Sequence, residues 1–437
     1  MMLKHKVMAL GGGLLLLSSL ANAATIEERL KALESDVNEI NDRVDANEVA
    51  ATLNKVKFGM EFNTSVNNIT HREKTGGANL KENYNNRWMM GLYLNMNADI
   101  NKYTKFTGRL SMTKAFGDLE SGYPLVGTLG TLDAGRGVAG GSAVYVERAY
   151  VDIYMGKWAA LTIGRLPGTD GPGSNLRNSS ARMSTYPALA VNALGDGAVF
   201  TLKPYTDAAL RVGYSKVYQP LTLNSTSAGG NIWGNKEASD ANLVFGAFET
   251  PFLPKSFGTN LFMLTYINLM NYATPRVQTA TATFPAKNVG DMQYVNVHIE
   301  NDRLLGSGLH WFASYSYYKG SNGEPIMLPF ANENGYAVHA GLRYDLGSYF
   351  KIGYEFFKGS KYWYAFSRVS LNDPFNFRST RGTVNDVYAI WQLDLNQFFR
   401  LSYTLQQLDY NTPTAPIATP SVDETNQNIA LAYILRF

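Results

Sequence analysis

The sequence predicts an all-β fold, a transmembrane antiparallel β-barrel of sixteen strands preceded by a short N-terminal coiled-coil helix. Three observations carry this: an alternating strand at the C-terminus, a leader that addresses the chain out of the cytoplasm, and a regular exchange of short and long connections between period-two segments. From Asn428 to Phe437, residues Ile429, Leu431, Tyr433, Leu435 and Phe437 share one face, and Asn428, Ala430, Ala432, Ile434 and Arg436 share the other. Period-two alternation over about ten residues is the length of one tilted strand crossing a bilayer.

At the other end, Lys4 and Lys6 precede an apolar run, Val7 to Leu20, followed by Ala21-Asn22-Ala23 as a small-x-small cleavage site. This is the layout of a secretory signal peptide, residues 1–23, with mature protein starting at Ala24. The apolar run is too short for a membrane-spanning helix, which needs about 20 residues. Losing Lys4 and Lys6 lowers the formal charge from +3 to +1, so no global basic surface points to nucleic acid. The 437 residues include no Cys, which excludes disulfides, thiolate metal sites and Cys nucleophiles. Aromatic residues are abundant (27 Tyr, 22 Phe, 6 Trp), as two membrane interfaces require.

Residues 24–54 read as a periplasmic coiled-coil segment. Ile26, Leu30, Leu33, Val37, Ile40 and Val44 follow steps of 4, 3, 4, 3 and 4, a heptad seam that Asn47 extends. With Leu30, Val37 and Val44 at a positions, Arg29 and Arg43 at g face Glu34 and Glu48 at the following e′, which favours parallel association of identical chains. The bland alternative is an amphipathic helix lying on its own barrel. The mixed core does not choose between dimer and trimer; analogy with porins favours a trimer.

From residue 55 to 437 the period becomes two. Strands are expected at 55–66, 86–100, 104–114, 144–156, 158–165, 196–203, 207–217, 242–249, 259–268, 291–301, 306–319, 335–345, 349–359, 385–395, 398–409 and 427–437. Short turns such as Gly156-Lys157 and Asn396-Gln397 alternate with long gaps, giving seven turns and eight loops. Sixteen antiparallel strands with both termini on one side need that arithmetic. The count becomes eighteen if 218–241 or 360–384 hides strands.

The third long loop is the longest and the richest in Arg. It opens with Gly164-Arg165-Leu166-Pro167-Gly168-Thr169-Asp170-Gly171-Pro172-Gly173 and continues through Arg177 and Arg182. The preceding strand places Arg148, Tyr150 and Asp152 on one face, with Glu147 breaking the alternation at a strand end or bulge. By parity Arg109, Arg148, Arg211, Arg343, Lys351 and Arg400 face inward, against Asp152, Glu300, Glu355 and Asp394. Basic residues lead, and such rings lean toward anions. A tight turn is the bland reading of the Gly and Pro residues. No Gly-Lys-Ser/Thr makes the loop a phosphate cradle, and Asp170 with Asn175 is too sparse for Ca²⁺. No cofactor or metal is expected. His298, His310 and His339 have no nucleophile motif beside them, so no enzyme is expected either.

The runs Glu147-Arg148-Ala149-Tyr150-Val151-Asp152, Gly164-Arg165-Leu166-Pro167, Asp170-Gly171-Pro172 and Phe106 to Met112 resemble a porin-like outer-membrane β-barrel family of unknown function in Gram-negative bacteria. The coiled coil before the barrel is also similar to phosphate-selective porins, although their Lys-rich ladder is missing. The resemblance to general porins implies a third loop folded into the lumen, making Arg109, Arg148, Asp152, Arg165, Asp170, Arg177 and Arg182 the constriction. It also implies that Phe437 is an assembly signal for the barrel-assembly machinery. The expected function is passive diffusion of small hydrophilic solutes and ions through an oligomeric barrel in outer-membrane lipid. The alternative is a structural anchor tied to peptidoglycan by the coiled coil.

Overall fold

Sixteen strands close into one antiparallel barrel in the computed structural model, which describes residues 31, 33–41, 43–44 and 56–437, apart from 75–76, 78, 117–143, 169, 186–187, 190, 193, 219–237, 275–276, 279–282, 285–286, 324–331, 368 and 411–420. The strands are β1 Val56–Glu73, β2 Leu80–Asn101, β3 Thr104–Ala115, β4 Tyr145–Met155, β5 Ala159–Leu166, β6 Gly195–Tyr205, β7 Ala208–Tyr218 and β8 Ala241–Thr250. They continue as β9 Thr259–Thr274, β10 Lys287–Asp302, β11 Leu309–Ser321, β12 Asn334–Leu346, β13 Phe350–Gly359, β14 Arg381–Gln392, β15 Gln397–Tyr410 and β16 Ser421–Arg436. Every expected segment is a strand. β7 pairs directly with β8 and β13 directly with β14, so neither 218–241 nor 360–384 adds a wall strand.

β16 returns to β1, with Glu61 opposite Arg436 and Asn67 opposite Ala430. The last residue is sewn into that seam. Met60 N–H donates to the Phe437 carbonyl at 2.6 Å, and Phe437 N–H donates to the Met60 carbonyl at 2.9 Å. Closure satisfies every edge, which an open sheet in lipid could not do.

The alternation sorts the chain into two faces. Leu431, Leu401, Val387 and Leu342 point outward and are about half exposed, while their neighbours Ala432, Ser402, Asp386 and Arg343 are buried within the barrel. At the end formed by the short turns, Tyr103, Trp158, Tyr205, Tyr349, Trp391 and Phe437 are exposed; at the long-loop end Tyr84, Trp88, Tyr214 and Tyr336 are exposed. An apolar band between two aromatic girdles is the surface a bilayer demands.

Several strands run beyond their expected ends, among them Thr259–Thr274 and Ser421–Arg436. β14 runs over Arg381–Gln392 rather than 385–395, because Asp394 Oδ1 accepts the N–H groups of Asn396 (2.7 Å) and Gln397 (3.0 Å) and starts the turn there. Asp394 is therefore not a lumen charge. The β1–β2 hairpin extends well past 66 and 86, into polar sequence where the apolar alternation has stopped.

The chain divides into a unit ending at Lys57 and a barrel unit, Phe58–Phe437. Among the described residues of the first, 33–41 and 43–44 are helical, and Leu33, Val37, Ile40 and Val44 are all exposed. The leader 1–23 and the seam residues Ile26 and Leu30 lie outside the described residues.

Candidate functional site: the lumen and its third loop

On β4 the register slips by one residue. Arg109 of β3 faces Arg148, the next pair is Leu110 with Val146, and Glu147 is left over. This β-bulge turns Glu147 to the same side as Arg148. Both are buried, whereas Val146 is exposed on the outer wall. Arg109 lies over the Tyr93 ring at 4.1 Å and reaches Glu61 and Glu147 at 3.5 Å each. Arg148 reaches Glu147 at 3.1 Å and Asp170 of the third loop at 3.6 Å.

Near the end of β5 the backbone takes a conformation and a close approach that suit glycine alone. Gly164 sits at φ +134°, and a Cβ there would lie 2.2 Å from the Ala149 carbonyl oxygen. From this end the described residues of the third loop, between 167 and 194, reach across the barrel interior to the facing wall. Its one helical turn, α1 Asn175–Asn178, is grasped at its C-terminal end by cations from four strands. Arg343 donates to the Leu176 carbonyl (3.0 Å), Arg400 to the Arg177 carbonyl (3.0 Å), Arg436 to the Asn178 and Ser179 carbonyls (3.1 and 2.9 Å), and Lys351 to Ser179 Oγ (3.0 Å). Positive charge is favoured at such a helix end.

Arg177 points the other way, donating from Nε to Asp386 Oδ2 at 2.7 Å and from Nη1 to the Asn372 carbonyl. Burial opposes its charge, but the Asp386 carboxylate more than offsets this and holds its pKa above the usual arginine value. Arg182 binds Glu249 at 2.9 Å, and Arg211 shares the same carboxylate at 2.8 Å.

A second loop, residues 360–380, also folds inward. Asn372 accepts from Asn63 and Arg400, and Phe366–Ser367 pairs in parallel with Val191–Asn192 of the third loop. Trp363, Tyr364 and Phe377 pack on inward residues of β8 to β14, among them Phe245, Ile267, Tyr294, Tyr318 and Val384. Each aromatic removes about 150–250 Å² from water, worth roughly 4–6 kcal/mol before the loop's ordering entropy is charged against it. In the same loop, burial pushes the Asp373 carboxyl above its usual range, opposed by Arg378 and the Phe377 N–H.

Between the loops and the wall remains a slot of about 60 Å³ bounded by Tyr93, Arg109, Glu147, Asp170, Ser174 and Leu371. Toward the short turns lies a cavity of about 1130 Å³, bordered by Leu176, Ser179, Arg182, Glu249, His310 and Arg343.

The structure thus brings together Arg109, Arg148, Asp170 and Arg177 around the slot, while Arg182 pairs with Glu249 at the larger cavity. Asp152 faces inward nearer the turns, accepting from Thr162 at 2.6 Å. Arg165 is a correction: it lies opposite Ala149, on the outer face, in a bidentate pair with Asp196 at 2.8 and 3.0 Å. Sequence reasoning missed the inward acids Glu61, Glu249 and Asp386 and the inward folding of the 360–380 loop. The parity of Asn63 and Val384 carried the signal for two of those acids.

A closed sixteen-strand barrel, apolar outside, polar along much of its lumen and narrowed by its third loop, is a porin-like barrel. The chain belongs to the family described as protein of unknown function DUF3373, whose model matches residues 81–430. It is similar in fold to Pseudomonas putida OprB in a high-pH structure (TM-score 0.52, 11% identity, 89% of this chain and 96% of that one). It is also similar to Salmonella typhi OmpF in complex with daunomycin (TM-score 0.47, 9% identity, 86% and 97%). No curated protein matches the sequence.

Proposed function

We propose that this protein is an outer-membrane channel through which small hydrophilic solutes and ions diffuse passively, with a weak preference for anions. One observation carries the reading: an apolar outer wall encloses charged side chains around a cavity of about 1130 Å³, with the third loop as the constriction. Arg109, Arg148, Asp170, Arg177 and Arg182 set that constriction. The anion preference is supported by Lys351 and Arg400, which are held by hydroxyl, carbonyl and amide oxygens, while Arg109, Arg148, Arg177 and Arg182 lie against carboxylates.

In this reading residues 1–23 are removed on export, the barrel-assembly machinery reads Phe437, and the helix joins three chains through its exposed seam. The channel needs no cofactor and performs no catalysis. Purified protein in planar bilayers should give discrete conductance steps in KCl. A silent protein at every voltage would overturn the channel.

A further inference from the structure

The lumen is not polar throughout. At its long-loop end is a cavity of about 70 Å³, walled by Leu166, Val191, Val217, Leu243, Ile267 and Phe366. An aqueous barrel interior should be polar, and this patch is not covered entirely by the inward loops: Val217 is 40% exposed. Water finds little to bond there. The hydroxyl of Ser215, at the rim, already donates to the Asp196 carbonyl at 2.9 Å. A cavity without polar partners stays dry and accepts apolar groups.

We infer that this cavity is a subsite for the short branched alkyl end of a solute entering from the long-loop side. The inference rests on the channel reading. At about 30 Å³ for a water-sized group, the space takes two or three carbons, an isopropyl end rather than a long chain. The two-residue strand Val191–Asn192 separates this cavity from the charged slot: Val191 lines one and Asn192 the other. An alkyl end and a polar head therefore find different surroundings on the two sides of one backbone segment.

The probes are acetate, propionate, butyrate, isovalerate and hexanoate, added to the long-loop side of single channels carrying KCl current. Burial of each added carbon tightens binding up to about fourfold. The half-blocking concentration should fall stepwise from acetate to isovalerate and then level off at hexanoate. Leu243→Asn, which makes the wall polar, and Val217→Trp, which fills the space, should each flatten the series. Equal block by all five acids, or a series that survives both variants, overturns the subsite. If KCl carries no current, the channel reading fails separately. Saturation transfer from protein to the isovalerate methyls, in deuterated detergent, then decides the subsite: transfer lost in Val217→Trp supports it, and absence or persistence overturns it.

Discussion

Arg109 and Arg148 are direct cross-strand partners, two guanidiniums on one face of the β3–β4 pair, and the bulged Glu147 contacts both. Like charges placed directly opposite each other destabilise a sheet. Here the slipped residue supplies the compensating charge from the same strand, at the point where Asp170 of the third loop meets the wall.

Glu147→Gln should therefore cost about 3 kcal/mol, the scale of breaking a buried ion pair. The folded band in semi-native gels should convert to the unfolded one at a lower temperature than wild type. Unchanged heat resistance would mean that Glu61 and Asp170 suffice for the two arginines.

Arg177→Ala removes the loop's anchor to Asp386 and leaves a fully buried carboxylate without it, again about 3–5 kcal/mol. Single-channel conductance should rise and become noisier, because the helical turn loses its tie to β14 and keeps only its C-terminal contacts with Arg343, Lys351, Arg400 and Arg436. Adding Asp386→Asn should recover much of the stability but not the quiet conductance. Conductance identical to wild type in both variants would show that Arg177 does not hold the constriction.

In a KCl gradient the reversal potential should indicate a mild anion preference that deepens with acid. The Asp373 carboxyl, raised by burial, takes up its proton at a higher pH than exposed carboxylates do, so the charge beside Arg378 is lost first as pH falls. Recording at pH 7 and pH 4.5 checks the sign. A cation preference, or a shift toward cations in acid, would discard this picture, as would a reversal potential unmoved by Arg148→Ala with Arg177→Ala.

Phe437→Ala keeps the backbone bonds to Met60 but removes the exposed terminal ring. Assembly should slow and periplasmic protein should accumulate in pulse-chase fractionation. Wild-type outer-membrane levels under strong expression would show that the ring is not read.

Deleting residues 25–50 should weaken the oligomer in native gels, since Leu33, Val37, Ile40 and Val44 are exposed in the single chain. The e and g charges contribute little individually. Were oligomer size unaffected, retention of the full chain on purified peptidoglycan would become the measurement to make.

The wall was legible because lipid outside and water inside impose period two, and the connections alternate in length. The bulge was visible as Glu147 out of phase. What alternation cannot reveal is a wall apolar on both faces. In Leu261-Phe262-Met263-Leu264, Leu261 and Met263 are buried inside the barrel and Leu264 is exposed outside. Such a run signals that something packs within. Likewise Trp363, Tyr364 and Phe366 lie in a stretch with no periodicity, and only their hydrophobicity argued against an external loop. Arg165 was misplaced because it was read as the root of the loop, whereas the chain is still a strand there and parity turns it outward.

The contacts that seat the third loop also set an order of events during folding. Arg177 meets a carboxylate 209 residues later, and the Ser179 carbonyl meets a guanidinium 257 residues later, on the closing strand. Loop closure over such distances comes late, after the local hairpins have formed. Until β14 to β16 are in place, the loop lacks its partners Asp386, Arg400 and Arg436. The final strand therefore has two duties: it closes the cylinder against β1 and completes the anchorage of the restriction within it.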